Sequence, residues 1–144
     1  MPDAYDVVVI GDGAAGENVA RRATAEGLSA VVIESELVGG DGTYWACMPS
    51  KALLRPGEDL RTINQVPGAR AAVNGSIDVD QALLRWGSTA ANWDDKWQVQ
   101  WLESVNADLI RGHTRLNGER IAEEIIQHGE TNMITASKVV IIAM

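Results

Sequence analysis

The chain has 144 residues, 46% apolar and 22% charged, the balance of one globular domain, which excludes global disorder and collagen-like architecture. Twelve basic against twenty acidic residues leave a net charge of −8, which argues against a surface for nucleic-acid phosphates. The single cysteine, Cys47, leaves no internal disulfide and no zinc site built chiefly of thiolates; the first residues lack a signal-peptide pattern, no apolar run approaches the roughly 20 residues of a membrane span, and the expected setting is cytoplasmic.

Residues 6–10 read Asp-Val-Val-Val-Ile, a β-branched run of the kind buried on both faces of a parallel sheet. Glycines 11, 13 and 16 follow at once, residues 17–26 have the composition of a helix, and Gly27 is its expected stop. A second apolar strand spans 28–34, so the opening third is a β-α-β unit with a right-handed crossover and parallel strands. Residues 35–46 form a loop with glycines at 39, 40 and 42. A helix is expected from Cys47, with Pro49 tolerated in its first turn and Pro56 ending or kinking it.

Residues 66–78 read as an exposed connection. The apolar positions 79, 83, 86, 90, 93, 97 and 101 then follow one helical stripe, predicting one long helix or two broken near Asp94-Asp95. Its tryptophans, Trp86, Trp93, Trp97 and Trp101, are read as helix packing rather than ligand stacking. A strand is predicted over 107–111, followed by turn signals at Gly112, Asn117-Gly118 and His128-Gly129. Residues 120–127 and 132–137 are short enough for an antiparallel meander, and 138–144 is a last β-branched run.

The strongest local signal is Gly11-Asp12-Gly13-Ala14-Ala15-Gly16, set between a strand and a helix. Gly11 permits the tight turn, Gly13 lets backbone approach a pyrophosphate, and Gly16 lets helix and strand pack closely. The pyrophosphate belongs at the helix N-terminus, where unpaired N–H groups and the dipole favour anions. Glu34 ends the second strand eighteen residues past Gly16, suitably placed for a ribose hydroxyl. These features predict dinucleotide binding without separating NAD from FAD. Asp12 counts against tight binding, because it puts a carboxylate close to the expected phosphates.

The segment Gly39-Gly40-Asp41-Gly42-Thr43-Tyr44-Trp45-Ala46-Cys47-Met48-Pro49-Ser50-Lys51-Ala52-Leu53-Leu54 does separate them. It resembles the redox-active segment of the pyridine nucleotide–disulfide oxidoreductases, whose pattern is Gly-Gly-x-Cys-x-x-x-x-Cys-x-Pro-Ser-Lys. The resemblance is specific from Cys47 to Lys51 and fainter over 110–144. It implies an α/β, FAD/NAD(P)-binding Rossmann-like fold, a parallel sheet with helices on one face and an antiparallel β-meander on the other. It also implies an FAD-dependent oxidoreductase drawing electrons from NAD(P)H, with full-length relatives acting as homodimers. Residue by residue, Gly11, Gly13 and Gly16 would cradle the FAD pyrophosphate and Glu34 would bind the adenosine ribose. Gly40 would lie along the cofactor, Cys47 would face the flavin ring, Lys51 would lie beside it, and the backbone of Thr114 would touch the adenine end.

Two departures from the family pattern stand out. Gly42 replaces the first cysteine, so the chain is expected to lack the redox disulfide and the exchange of dithiol for disulfide that depends on it. The chain is also shorter than family members, so residues 1–144 are expected to be the N-terminal part of an FAD-binding domain, without the nicotinamide-binding and dimerisation domains. A non-catalytic FAD-binding fragment and an NAD-dependent enzyme using the first β-α-β unit stay open as alternatives. For Cys47 the plain alternative is a small buried apolar side chain; a helix N-terminus with Lys51 one turn on favours the reactive reading. His113, His128 and the acids at 94, 95, 123 and 124 are read as solvated.

Overall fold

The two valine- and isoleucine-rich runs form β1 (Ala4–Ile10) and β2 (Ala30–Glu34), paired in parallel with Val7 beside Ala30 and Ile10 beside Ile33. These strands belong to a computed structural model that describes residues 4–125 and 131–144. The turn expected at His128-Gly129 and the end of the 120–127 segment lie outside the described residues. Between the strands runs α1 (Ala14–Ala25), which starts inside the glycine motif, three residues earlier than its composition suggests. Gly27 ends it as expected, with φ at +77° and the Leu28 N–H donating to the Ala23 carbonyl at 3.0 Å.

The remaining elements are α2 (Gly40–Tyr44), α3 (Cys47–Gln65), α4 (Val79–Thr89), α5 (Lys96–Ser104), β3 (Asp108–Arg111), β4 (His113–Leu116), β5 (Ile121–Ile125) and β6 (Thr131–Ile142). Two 3₁₀ turns, Arg70–Ala72 and Ala91–Trp93, lie before and after α4. None of the described helices is long and apolar enough to cross a membrane. The chain divides into two compact units, Met1–Gly40 with Asp95–Met144, and Asp41–Asp94.

In the first unit the strand order is β3-β2-β1-β6-β5-β4. Pairing is parallel from β3 to β6 and antiparallel from β6 to β4. Val7, Val9 and Val32 pack with Ala20 and Ala23 of α1 and Leu102 of α5 on one face. Val8, Ile10, Val31 and Ile33 pack with Ile110, Ala122 and Ile134 on the other. Helices on one face and meander residues on the other is the expected arrangement. The final segments depart from expectation: 132–137 and 138–144 are not two strands but the single β6. Its first half pairs with β5 and its second with β1, and the register shifts between Tyr5 and Val7 where it changes partner. Asp6 holds that corner, accepting from the Ser137 hydroxyl at 2.8 Å and the Ser29 N–H at 3.0 Å, bonds that keep its carboxyl below the usual carboxylate range.

The Asn117-Gly118 hairpin forms as expected, with Gly118 at φ +113° and Asn117 N–H donating to the Ile121 carbonyl. Glu123 is not a solvated acid. It is 5% exposed and meets Arg115 across the hairpin at 2.6 Å, a pairing that holds its carboxyl below the usual range.

In the second unit α3 passes through Pro56 to Gln65 instead of ending there. One missing N–H in an exposed helix costs a hydrogen bond without stopping the flanking turns. The helical stripe over 79–101 is two helices rather than one, and the break between them runs from Ala90 to Asp95, taking in the expected Asp94-Asp95. Ala91, Asn92 and Trp93 all take positive φ, at 50°, 52° and 59°. This left-handed turn brings the Trp93 ring edge-on to Trp86 at 4.9 Å between centroids, and the Trp45 ring lies tilted to Trp93 at 6.1 Å. Trp86 and Trp93 therefore do pack helix ends, as read from the sequence. Trp97, beyond the turn, is 76% exposed and does not.

Candidate functional site

The C-terminal ends of β1, β2 and β3 meet at one edge of the sheet, where ligands of open α/β sheets bind. The Gly11 N–H donates to the Ile33 carbonyl at 2.9 Å, and the Gly112 N–H donates to the Glu34 carbonyl at 3.0 Å. These bonds gather the glycine loop, the Glu34 carboxylate and the start of β4 at that edge. A Cβ on Gly16 would lie 2.2 Å from the Gly11 carbonyl oxygen, so only glycine lets α1 begin this close to β1. A Cβ on Gly40 would lie 2.8 Å from the Gly13 Cα, which seats the Gly39-Gly40 turn directly on the loop. The Gly39 N–H donates to the Asp12 carbonyl at 2.8 Å and locks that seat. Gly13 is the N-cap of α1 and supplies no side-chain cap, so the first amides of the helix are left for a ligand.

Glu34 is buried and its two oxygens have separate tasks. Oε2 accepts from the Asp12 N–H at 2.7 Å and Oε1 from the Glu36 N–H at 2.8 Å. Each oxygen keeps a second lone pair for a ribose hydroxyl. Asp12, read from the sequence as a carboxylate beside phosphates, is fully buried, and neither of its carboxyl oxygens has a hydrogen-bond partner. Burial, then the nearby Glu17 and Glu34, push its pKa up to about 7. Burial also raises the Glu17 carboxyl in the first turn of α1.

Sequence reading missed a clamp on the loop behind Glu34. Asp95 Oδ2 accepts from the Val38 N–H at 2.8 Å and lies 2.7 Å from Arg111 Nη1, which also donates to the Glu36 carbonyl. Burial alone would raise the Asp95 carboxyl, but the Arg111 and Val38 bonds outweigh it and hold the group below the usual range. Asp95 is thus structural rather than solvated. No local pattern marks it, because its partners lie far away in sequence.

The structure brings together Gly11, Gly13, Gly16, Glu34 and Gly40. Thr114 lies in β4, two residues past Gly112, with a buried hydroxyl oxygen that has no partner. Cys47 and Lys51 belong to the other unit, in the first two turns of α3 and both exposed. Cys47 is therefore not a buried apolar filler. Lys51 joins Met48, Ala52, Arg55, Arg85 and Thr89 around an open groove of about 320 Å³ between α3 and α4. His113 is exposed on β4. The glycine cradle, the free helix amides, the orphaned Thr114 hydroxyl and the two-faced Glu34 carboxylate fit a dinucleotide with its ribose and pyrophosphate; the buried Asp12, with Glu17 in the first turn of α1, is set against it.

A model of the family described as pyridine nucleotide-disulphide oxidoreductase matches residues 5–144. A dihydrolipoyl dehydrogenase of Rhizobium etli is 34% identical over 117 residues, 81% of this chain and 24% of that protein. Dihydrolipoyl dehydrogenase 3 of Pseudomonas aeruginosa is 33% identical over 98% of this chain and 31% of its own length. A mercuric reductase of Lysinibacillus sphaericus is 30% identical over 78% of the chain and 21% of its own length. The chain thus spans less than a third of the length of these relatives. Among solved structures, the Cu(II) complex of the HOCl-induced flavoprotein disulfide reductase RclA from Escherichia coli superposes with a TM-score of 0.77. It covers all of this chain and 29% of that one at 20% identity, a likeness of fold.

Proposed function

The chain belongs to the pyridine nucleotide-disulphide oxidoreductase family, and from that membership we propose that residues 1–144 form the N-terminal part of the FAD-binding domain of an oxidoreductase that draws electrons from NAD(P)H. The observation that carries the reading is the seat of Gly40 on Gly13, at 2.8 Å for a would-be Cβ. An NAD site built from the first β-α-β unit alone has no use for a second glycine turn pressed on its phosphate loop. A family redox segment that begins at Gly39 does have such a use.

In this reading the amides at the start of α1 hold the pyrophosphate and Glu34 accepts the adenosine ribose hydroxyls. The Thr114 backbone borders the adenine end. By the family resemblance Cys47 and Lys51 would lie by the flavin, whose ring would supply the hydride and electron chemistry when bound. Cys47 is exposed at the first position of α3, so its sulfur is open to approach. It cannot pair with a second thiol, because it is the only cysteine and Gly42 stands at the other position. The chemistry proposed is therefore flavin-centred electron transfer without dithiol–disulfide exchange.

Equilibrium titration of the purified chain with FAD and with NAD tests the cofactor. Tighter binding of FAD, with perturbed flavin absorbance, is the expected result; tighter binding of NAD would favour the simple β-α-β reading instead. The missing thiol has its own test. No disulfide substrate is expected to turn over with NAD(P)H. In Gly42→Cys the family spacing predicts a bridge to Cys47 after mild oxidation; the new side chain has room, a Cβ there meeting nothing within 4 Å, so Cys47 must draw closer to reach the roughly 3.8 Å Cβ separation of a disulfide. Thiol counting before and after oxidation reads it, and two free thiols throughout would show that the family geometry is not kept here.

A further inference from the structure

We propose that dinucleotide binding at the glycine loop is coupled to protonation of Asp12: the loop takes the pyrophosphate readily while the Asp12 carboxyl carries a proton, and poorly once it ionises. The inference rests on the reading of the loop as the FAD site and adds to it a means of regulation. Asp12 sits between Gly11 and Gly13, fully buried, with both carboxyl oxygens unpartnered. A buried carboxyl without partners is far cheaper neutral than charged.

The charged groups facing it come from three elements. Glu17 on α1 and Glu34 at the end of β2 both oppose a negative charge on Asp12. Arg111 at the end of β3 favours that charge, but its guanidinium is already engaged by Asp95 at 2.7 Å and by the Glu36 carbonyl. The Gly39 amide, which donates to the Asp12 main-chain carbonyl at 2.8 Å, also favours the charged carboxyl, but burial and the two acids outweigh it together with Arg111. The result is a carboxyl pushed up to about 7, by burial first and then by its acidic neighbours.

The sign follows from linkage. A bound pyrophosphate adds negative charge and raises the Asp12 pKa further, so binding draws a proton onto the group. Below about pH 7 the carboxyl is already neutral and affinity does not depend on pH. Above it, each molecule bound takes up as much as one proton, and affinity falls by up to about tenfold per pH unit.

Calorimetric titration with FAD between pH 6 and 8.5, in two buffers of different ionisation heat, gives both affinity and proton uptake. The wild-type chain is expected to weaken by about tenfold over the upper part of this range, in step with proton uptake. Asp12→Asn and Asp12→Gly are each expected to bind FAD with a flat profile and no uptake, and the second substitution serves if the first does not fold. Glu17→Gln is expected to keep the slope but start it at lower pH, a displacement that a merely structural role for Asp12 would not produce. Tight, pH-independent binding by the wild-type chain, or an unchanged slope in both Asp12 variants, would overturn the coupling alone. No FAD binding by any of these proteins at any pH would overturn the cofactor reading and the coupling with it.

Discussion

Gly16→Ala is expected to destabilise the chain by about 3 kcal/mol or more, a large part of the stability of an ordinary domain. The new Cβ would lie 2.2 Å from the Gly11 carbonyl oxygen, 3.2 Å from its carbon and 3.4 Å from Val9 Cγ1. The clash is with backbone, so no rotamer change relieves it. Nor can Gly11 retreat, because it holds φ at +92° with its own would-be Cβ 3.0 Å from the Ala143 backbone. The helix must instead tilt away from β1, opening the contacts of Ala20 and Ala23 with the sheet and moving the α1 amides from where the pyrophosphate is proposed to bind. Urea unfolding reads the first consequence and FAD titration the second. Gly57→Ala is the matched control, since a Cβ there meets nothing within 4 Å on an exposed helix. It should gain about 0.5–1 kcal/mol from helix propensity. Equal unfolding midpoints for the two variants would refute the close packing of α1 on β1.

Ile134→Ala is the second large effect, expected to cost about 2–5 kcal/mol at an unchanged denaturant slope. Ile134 is 1% exposed and lies with Val8, Ile10, Val31, Ile33 and Ala122 on the sheet face away from α1. It sits in the half of β6 that pairs with β5, so its side chain joins the meander to the parallel sheet. Removing three buried carbons leaves a cavity ringed by strands, which collapse less readily than a loop would. Ile142, at the other end of the same strand, is 55% exposed, and Ile142→Ala should cost under about 1 kcal/mol. A cost at Ile134 no larger than at Ile142 would show that the meander does not cover that face.

Much of this protein was determined by sequence alone, and for a local reason. A β-branched run, three glycines, an alanine-rich helix and a second run ending in Glu34 specify a β-α-β unit through neighbours close along the chain. The same holds for Gly27 and for the Asn117-Gly118 hairpin, where a turn needs a backbone that few residues adopt. The segment from Gly39 to Lys51 is legible as a motif because its spacing is specific. The candidate site residues gathered in the first unit, Gly11, Gly13, Gly16, Glu34 and Gly40, were readable in this way.

Tertiary structure decided the rest. That 132–137 and 138–144 are one strand depends on β6 having β5 as one partner and β1 as the other, and no local pattern distinguishes a bend from a turn. The stripe over 79–101 has perfect helical spacing, yet three residues of positive φ break it at Ala91–Trp93. Spacing left one helix or two open, and the turn that sets Trp93 edge-on to Trp86 is where the chain takes the second. Asp95 reads as one acid of an exposed pair, but Arg111 and the Val38 amide, brought in from other elements, make it a clamp. Asp12 shows the difference most sharply. Its presence in the loop is plain from the sequence, but its protonation depends on burial and on Glu17, Glu34 and Arg111, which only the packed sheet and helix place around it.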